Sequence, residues 1–175
     1  MKRVLAVLVL ALVLPSALAA QASPFAHLRG PALRGLKEAT LYINVAAPGT
    51  DADLLYADIQ DTAVAMLARE GMTLRRGIRN GAVAIFPALF LELVTIPVGP
   101  DSVRVAASIV LIEAAQTMRL RTYSPGMTWG VRNWPIVSRD RLLPDAAIPL
   151  LHAFIHDWRC GSGQLGICDE PGVPR

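Results

Sequence analysis

Residues 82–118 read AVAIFPALFLELVTIPVGPDSVRVAASIVLIEAAQTM, and this stretch decides the fold of the chain. Its first part, up to Val98, contains one charged residue, Glu92. A run of that length and apolarity is near the lower limit for a membrane-spanning helix. Pro87, Pro97 and the many β-branched side chains favour strands instead.

Residues 99–102, Gly-Pro-Asp-Ser, carry the signature of a turn and predict a β-hairpin of 82–98 with 103–118. If Val98 pairs with Val103, one face of the hairpin is almost entirely apolar. That face carries Phe90, Val94, Ile96, Val105, Ala107, Ile109 and Leu111. Leu89, Leu91, Val110 and Ile112 lie on the other face, so part of the hairpin is covered on both sides. A slip of one residue would exchange the two faces.

The segment before the hairpin predicts a strand and then a helix. Apolar and polar residues alternate over 41–45, and Pro48-Gly49 ends this strand. Apolar residues then recur at helical spacing and predict a helix over 51–70, which Gly71 ends.

Three further elements complete the predicted order. Asn80-Gly81 is a preferred two-residue turn and predicts a hairpin between 72–79 and the strand that starts at Ala82. An extended segment covers 123–137, and an amphipathic helix begins near Asp145. The order β-α-β-β-β-β-α indicates an α+β domain of two layers. We expect a mainly antiparallel sheet of about five strands, with both helices packed on one face.

The amino terminus has the three parts of a secretory signal peptide. A basic start, Lys2-Arg3, precedes the uninterrupted apolar run 4–14 and the small residues of 17–20. A retained anchor is the alternative, but at 1.5 Å per residue this run covers about half of a 30 Å hydrocarbon core. We therefore expect cleavage near residues 19–21 and export to the periplasm or beyond. No cysteine follows the cleavage point, so a lipid anchor is not expected.

The predicted domains are a signal peptide over 1–20, an irregular lead-in over 21–36, one α+β domain over 37–160 and a carboxyl-terminal tail over 161–175. Cleavage removes Lys2 and Arg3 from the 17 basic residues and no acid from the 14 acidic ones, which leaves a net charge of +1. Nucleic-acid binding needs a larger basic excess, so nucleic acid is not an expected partner.

Cys160 and Cys168 are predicted to form a disulfide, because thiols pair in an oxidising compartment. Three glycines lie between them and allow a short ring to close. The alternative is a redox-active pair, which more typically has the spacing C-x-x-C.

At the level of element order, the chain resembles small exported bacterial envelope domains, such as those like the amino-terminal domain of TolB or the lipopolysaccharide-assembly protein LptE. The likeness lies in the signal peptide, the strand and helix of 41–71, the strands that follow, and the helix over 145–160. It includes no diagnostic motif. The resemblance implies an envelope assembly or binding factor rather than an enzyme. LptE-like proteins are lipid-anchored, and this chain lacks the cysteine for that anchor.

Motifs for catalysis or nucleotide binding are missing from the sequence. It contains neither a Gly-x-Ser-x-Gly elbow nor a glycine-rich phosphate loop, and no cofactor is expected. His152 and His156 have the i, i+4 spacing that presents two imidazoles to one metal ion, and are weak metal candidates. The alternative interpretation is that they flank a packed helix face.

Glu92 and Glu113 are carboxylates in apolar strands, and in the proposed register both point to the side of the apolar set. A buried carboxylate has a raised pKa and can act as a general acid. Alternatively, each lies at a sheet edge or pairs with Arg119 or Arg121.

Two clusters are candidates for binding. Arg69, Arg75, Arg76 and Arg79 could hold an anionic group, or be solvated charges. Tyr123, Met127, Trp129 and Trp134 form an aromatic segment suited to an interface, or to capping the core.

The sequence therefore predicts an exported, soluble binding or envelope-assembly module without catalytic activity. Its expected partner is a protein or an anionic envelope component, bound through Tyr123, Trp129, Trp134 and the arginines. The alternative is a small metal-dependent or carboxylate-using periplasmic hydrolase.

Overall fold

The structure is a computed structural model that describes residues 33–77, 85–117 and 122–163, without the side chains of 115–117 and 122–125. These residues form an α+β fold with one sheet of six strands and two main helices. The strands are β1 (Glu38–Ala46), β2 (Thr73–Arg76), β3 (Ala88–Pro97), β4 (Ser102–Thr117), β5 (Thr122–Asn133) and β6 (Ile136–Ser138). The helices are α1 (Ala52–Arg69), after β1, and α2 (Ile148–Gly161), which follows short 3-10 and π-helical turns over Arg139–Arg141 and Leu143–Ala147.

Helix α1 confirms the helix predicted over 51–70. Its amino end is capped by the Asp51 side chain, which accepts hydrogen bonds from the backbone N–H groups of Asp53 and Leu54, both at 3.1 Å. Its buried face includes Leu55, Ile59, Ala63 and Leu67, at the spacing that the sequence shows. Gly71, with φ +86°, ends the last turn in the left-handed region.

The sheet has the strand order β2-β1-β3-β4-β5, with β6 beside β4. Strand β1 pairs in parallel with both β2 and β3, whereas β4 is antiparallel to β3, β5 and β6. The sheet is therefore mixed, and the prediction of a mainly antiparallel sheet is wrong. The reason is the crossover connection. Helix α1 carries the chain back to the end of the sheet at which β1 begins, so β2 runs in the same direction as β1.

The hairpin predicted between 72–79 and the strand from Ala82 does not form in the described residues. Strands β2 and β3 lie on opposite sides of β1 and do not pair. The Asn80-Gly81 turn falls in residues 78–84, outside the described part of the chain.

Strands β3 and β4 form the predicted hairpin, but in the register that is slipped by one residue. Pro97, not Val98, lies opposite Val103. The slip turns Leu89, Leu91 and Leu93 of β3 towards the helices, and all three are buried. This register is the favourable one because it buries a row of three leucines rather than a row that contains Glu92.

The core lies between the helix-facing side of the sheet and the two helices. It joins inward residues of the strands to the apolar faces of α1 and α2. Representative members are Leu41, Ile59, Leu91, Ile109, Trp129, Leu151 and Phe154. The end of the predicted lead-in also belongs to it, since Leu33 is buried and the Leu36 carbonyl accepts a hydrogen bond from Trp158 Nε1 at 2.7 Å.

The predicted extended segment over 123–137 forms both β5 and β6. A bulge at Thr128 shifts the register, because Leu111 pairs with Trp129 while the next residue, Ile112, pairs with Met127. Beyond the bulge, β6 continues the β5 register along β4. Between them, the Pro135 carbonyl accepts a hydrogen bond from Val105 N–H at 2.9 Å.

Within the described ranges, no helix combines the length and apolarity needed to cross a membrane. The predicted signal peptide over 1–20 and most of the predicted tail, including Cys168, lie outside the described residues. The signal peptide and the disulfide therefore stay predictions.

Candidate functional site

The face of the sheet that points away from α1 and α2 is the candidate site, and we call it the open face. Among the described residues, no helix packs against it. Strand alternation places every second residue of each strand there, and the registers align these residues in rows across β1, β3, β4 and the β5–β6 segment. One such row joins Ile96, Arg104 and Ile136.

The neighbouring row carries Trp134. Since β5 and β6 keep one register against β4, Trp134 lies opposite Ala106, followed across the sheet by Val94 and Ala46. Trp134 is 62% exposed, Ile136 58% and Ile96 53%. We call this group of three exposed apolar side chains, which lie in two neighbouring rows of one face, the Trp134 patch. Large apolar side chains that are exposed close together in this way mark interaction sites on protein surfaces.

Two arginines border the Trp134 patch. Arg104 lies between Ile96 and Ile136, and Arg132 precedes Trp134 on the same face of β5. Both are exposed, and neither forms an ion pair with another described residue. Trp, Ile and Arg together are the composition of a binding surface rather than of a solvated sheet face.

Farther along the open face, aromatic side chains pack on one another. The rings of Tyr42 and Phe90 stack with their centroids 4.9 Å apart. The two described ends of the β2–β3 connection meet Tyr42: its hydroxyl accepts a hydrogen bond from Ile85 N–H at 2.8 Å, and a Cβ on Gly77 would lie 2.6 Å from its ring. Near Tyr42 the chain therefore covers part of this face itself, and Thr40 and Ala88 of the neighbouring row are buried.

Glu92, one of the carboxylates singled out in the sequence, lies on the open face and is exposed. It accepts a hydrogen bond from Asn44 Nδ2 at 3.0 Å. Glu113 has the opposite position in the strand alternation, on the helix side of β4. The structure therefore does not bring the two carboxylates together, and the expectation that both share one side is wrong, because the register slipped.

Trp129 lies on the other side of the sheet from Trp134. It is 1% exposed and belongs to the core, where its ring meets Phe154 edge to face at 5.0 Å. Its Nε1–H donates to Asp157 Oδ2 at 3.0 Å. Trp129 therefore caps the core, and its side chain is not accessible to a partner.

Sequence reasoning missed Asp157, which the helical spacing places off the packed face of α2 but which is only 8% exposed. The signal was the buried tryptophan, because an indole N–H inside a protein needs an acceptor. The second oxygen, Oδ1, lies 3.3 Å from His156 Nδ1. Asp157 thus links the core to the surface of α2.

His152 and His156 are both exposed on α2, on the helix side of the sheet. The described residues contain no group of three or more His, Cys, Asp or Glu side chains that could hold a metal ion. Glu92 is separated from both histidines by the sheet. The structure does not assemble the residues of the alternative hydrolase into one site.

Arg75 and Arg76 of the predicted arginine cluster are consecutive residues of the edge strand β2 and therefore lie on opposite faces of the sheet. Arg75 pairs with Glu38 and Arg76 with Asp61 of α1, each at 2.7 Å. Arg79 lies outside the described residues. Tyr123 pairs with Gln116 in the register, and its side chain is not among those described. These ion pairs neutralise Arg75 and Arg76, and Arg69, the third described arginine of the predicted anion site, is exposed at the end of α1.

No protein-family model matches this chain, and no curated protein and no solved structure was found to match it. The resemblance to TolB-like and LptE-like domains therefore stays a prediction. The open face is the feature on which a function can be argued.

Proposed function

We propose that this chain is an exported, non-catalytic binding module of the cell envelope, which docks a folded protein on the open face of its sheet. The observation that carries this proposal is the Trp134 patch. Ile96, Trp134 and Ile136 each expose more than half of their surface; Trp134 and Ile136 lie two residues apart on the β5–β6 segment, and Ile96 lies two strands away, across Arg104 of β4.

The physical reason is the cost of leaving such side chains in water. Burying apolar surface contributes about 25 cal/mol per Å², and large side chains near the centre of an interface supply most of its binding energy. Trp134 and its two flanking arginines, Arg104 and Arg132, match the residue types enriched at such centres.

A protein partner fits this face better than a lipid surface does. Asp101 and Asp140 lie at the same end of the sheet, beyond Ser102 and Ser138, and both are exposed. Together with Arg104 and Arg132 on the face itself, these carboxylates give the surroundings of the patch charges of both signs, which an anionic lipid surface matches only in part. A protein surface can match charges of both signs. Export rests on the predicted signal peptide.

A photo-cross-linking amino acid placed at Trp134 tests the proposal in the exporting cell. Leu54 on α1 is the matched control position, since it is 60% exposed and lies on the helix side of the molecule. We expect adducts of defined mass from position 134 and none from position 54. Adding Ile136→Arg should reduce the yield of those adducts several-fold.

Either equal adducts at both positions or no protein adduct at position 134 would overturn the proposal. Vesicles of anionic phospholipid provide a second test. If the purified protein bound them and Trp134→Ala abolished that binding, the face would be a lipid-binding surface and protein docking would be wrong.

A further inference from the structure

We infer that the partner docks through an extended segment, which adds a further strand along the outer edge of β5 and β6. The segment places an acidic side chain beside Arg132 and apolar side chains beside Trp134 and Ile136. This inference rests on the proposed function, because those three residues lie on the open face. It adds the conformation and the side-chain chemistry of the part of the partner that binds.

The β5–β6 segment forms one edge of the sheet. Strand β5 comes last in the strand order, and β6 continues beside β4 in the same register. Within the described ranges, no backbone group from another part of the chain bonds to the outer side of residues 129–137.

The register shows which residues direct their backbone groups outward. Val105 N–H donates to the Pro135 carbonyl at 2.9 Å, so Pro135 and every second residue before it turn their backbone groups towards β4. The residues that alternate with these, Arg132, Trp134 and Ile136, turn theirs away from the sheet. The same three residues present their side chains on the open face.

Most of these outward backbone groups have no hydrogen-bond partner among the described residues. Trp134 N–H donates to Asn133 Oδ1 at 2.8 Å. The N–H groups of Arg132 and Ile136, and the carbonyl groups of all three outward residues, are left for another chain. A row of unpaired N–H and C=O groups on an edge strand is a template for the addition of a strand.

The centre of this edge is accessible from both faces of the sheet. Arg132, Asn133 and Trp134 are three consecutive exposed residues, although strand alternation turns Asn133 to the helix side. The described helices therefore leave room for a strand beside these positions.

The rest of the sheet edge is protected against pairing in ways that this part is not. At the opposite edge, β2 has four residues, and its two arginines form ion pairs with Glu38 and Asp61. The first half of β5 ends in the bulge at Thr128 and has Pro125, which lacks an N–H, at an outward position. Short strands, bulges and prolines are the features that keep an edge from pairing. Residues 130–136 have neither a bulge nor an outward proline.

The side chains of an added strand would continue the rows of the open face. Arg132 has no ion-pair partner among the described residues, so a carboxylate is the side chain that complements it. Trp134 and Ile136 are 62% and 58% exposed, and apolar side chains beside them would remove that surface from water. The segment therefore carries one acidic and two apolar residues at alternate positions.

Hydrogen exchange of the purified protein at high dilution tests whether the edge is free. We expect the amides of Arg132 and Ile136 to exchange at least about tenfold faster than that of Val131, which points to β4. Slow exchange at both outward positions would show that the chain covers its own edge, and the inference would be wrong.

Proline substitution tests for pairing through the backbone in the exporting cell. A photo-cross-linking amino acid is placed at position 134 in the unmodified protein, in Arg132→Ala and in Arg132→Pro. Both variants lose the guanidinium, but only Arg132→Pro also loses the outward N–H, which β4 does not need. We expect about fivefold fewer adducts from Arg132→Pro than from Arg132→Ala, with melting temperatures within a few degrees of each other.

The charge of the partner is tested at the same position. Arg132→Lys keeps the positive charge and should keep most of the adducts, whereas Arg132→Glu should lower their yield about tenfold. Equal yields from these two variants would show that no acidic side chain lies beside Arg132.

Equal yields from Arg132→Ala and Arg132→Pro would overturn the added strand. The proposed function would then stand, with a partner held by side chains of the open face alone. A proline variant that does not fold would also overturn the inference, because the sheet itself would then need that N–H. If position 134 captures no protein even in the unmodified background, both the inference and the proposed function fail.

Discussion

At the scale of single residues, the two tryptophans of the β5–β6 segment show how position within a strand decides a role. Trp129 is in the core and Trp134 is 62% exposed. They are separated by an odd number of positions, so strand alternation alone predicts that they face opposite sides. The sequence did not reveal which side was buried, because that depends on the bulge and on where the helices pack.

Replacement of each tryptophan by phenylalanine separates these roles. Trp129→Phe removes the N–H that Asp157 accepts and leaves a buried carboxylate without that donor. We expect a loss of about 1–3 kcal/mol in the free energy of unfolding, measured by urea denaturation. Trp134→Phe is the control and should change it by less than about 0.5 kcal/mol. Equal losses in both variants would contradict the assignment of the two sides.

The turn before α2 contains an ion pair whose pH dependence can be predicted. Arg141 donates two hydrogen bonds to the Asp145 carboxylate, at 2.8 and 2.9 Å. These bonds lower the pKa of Asp145 below its ordinary value of 3.8. A lowered carboxyl pKa contributes stability that is present above the unfolded-state pKa and is lost as the pH falls through the folded-state pKa.

We therefore expect the melting temperature of the unmodified protein to fall more steeply between about pH 5 and pH 2 than that of Asp145→Asn. Arg141 is exposed and Asp145 is only partly buried, so the difference should be small and should shrink in high salt. Identical pH profiles would show that the pair contributes nothing measurable.

At the scale of elements, local sequence patterns correctly predicted α1 and the β3–β4 hairpin, but they did not predict all of the strand pairing. The helical spacing over 51–70 and the turn at 99–102 correctly predicted α1 and the β3–β4 hairpin. Asn80-Gly81 wrongly predicted pairing of the flanking segments. A turn signal is local, whereas the place of β2 beside β1 is set by α1 packing on the sheet. The one-residue error in the register also arose because the local sequence is not decisive. Both registers of 82–118 bury apolar side chains, and the packing of the helices selects between them.

The register can be tested with two alanine substitutions in β3. Leu91 is 1% exposed and Ile96 is 53% exposed. We expect Leu91→Ala to lower the free energy of unfolding by about 2–5 kcal/mol, through lost burial and a cavity. Ile96→Ala should lower it by less than about 1 kcal/mol. In the alternative register the two effects would be reversed, and urea denaturation of both variants distinguishes them.

At the scale of the whole molecule, the mixed sheet has two unlike faces. Both helices pack on one face, and the core lies there. The other face carries the Tyr42–Phe90 stack, the Trp134 patch and two arginines, Arg104 and Arg132, for which the described residues supply no ion-pair partner. Composition and periodicity predicted a domain with a proper core, but not this surface, because it exists only when residues from β3, β4 and β6 come into register. The binding function proposed for this face depends on that register.

Oxidative footprinting tests most directly whether the open face is covered in the working protein. The protein is oxidised briefly in intact cells of its host and again after purification and strong dilution. Trp134 reports on the open face and Leu54 on the helix side, and both are similarly exposed in the isolated chain. We expect Trp134 to be protected several-fold in the cells relative to the dilute protein, with Leu54 oxidised equally in both. Equal oxidation of Trp134 under the two conditions would mean that nothing docks on this face.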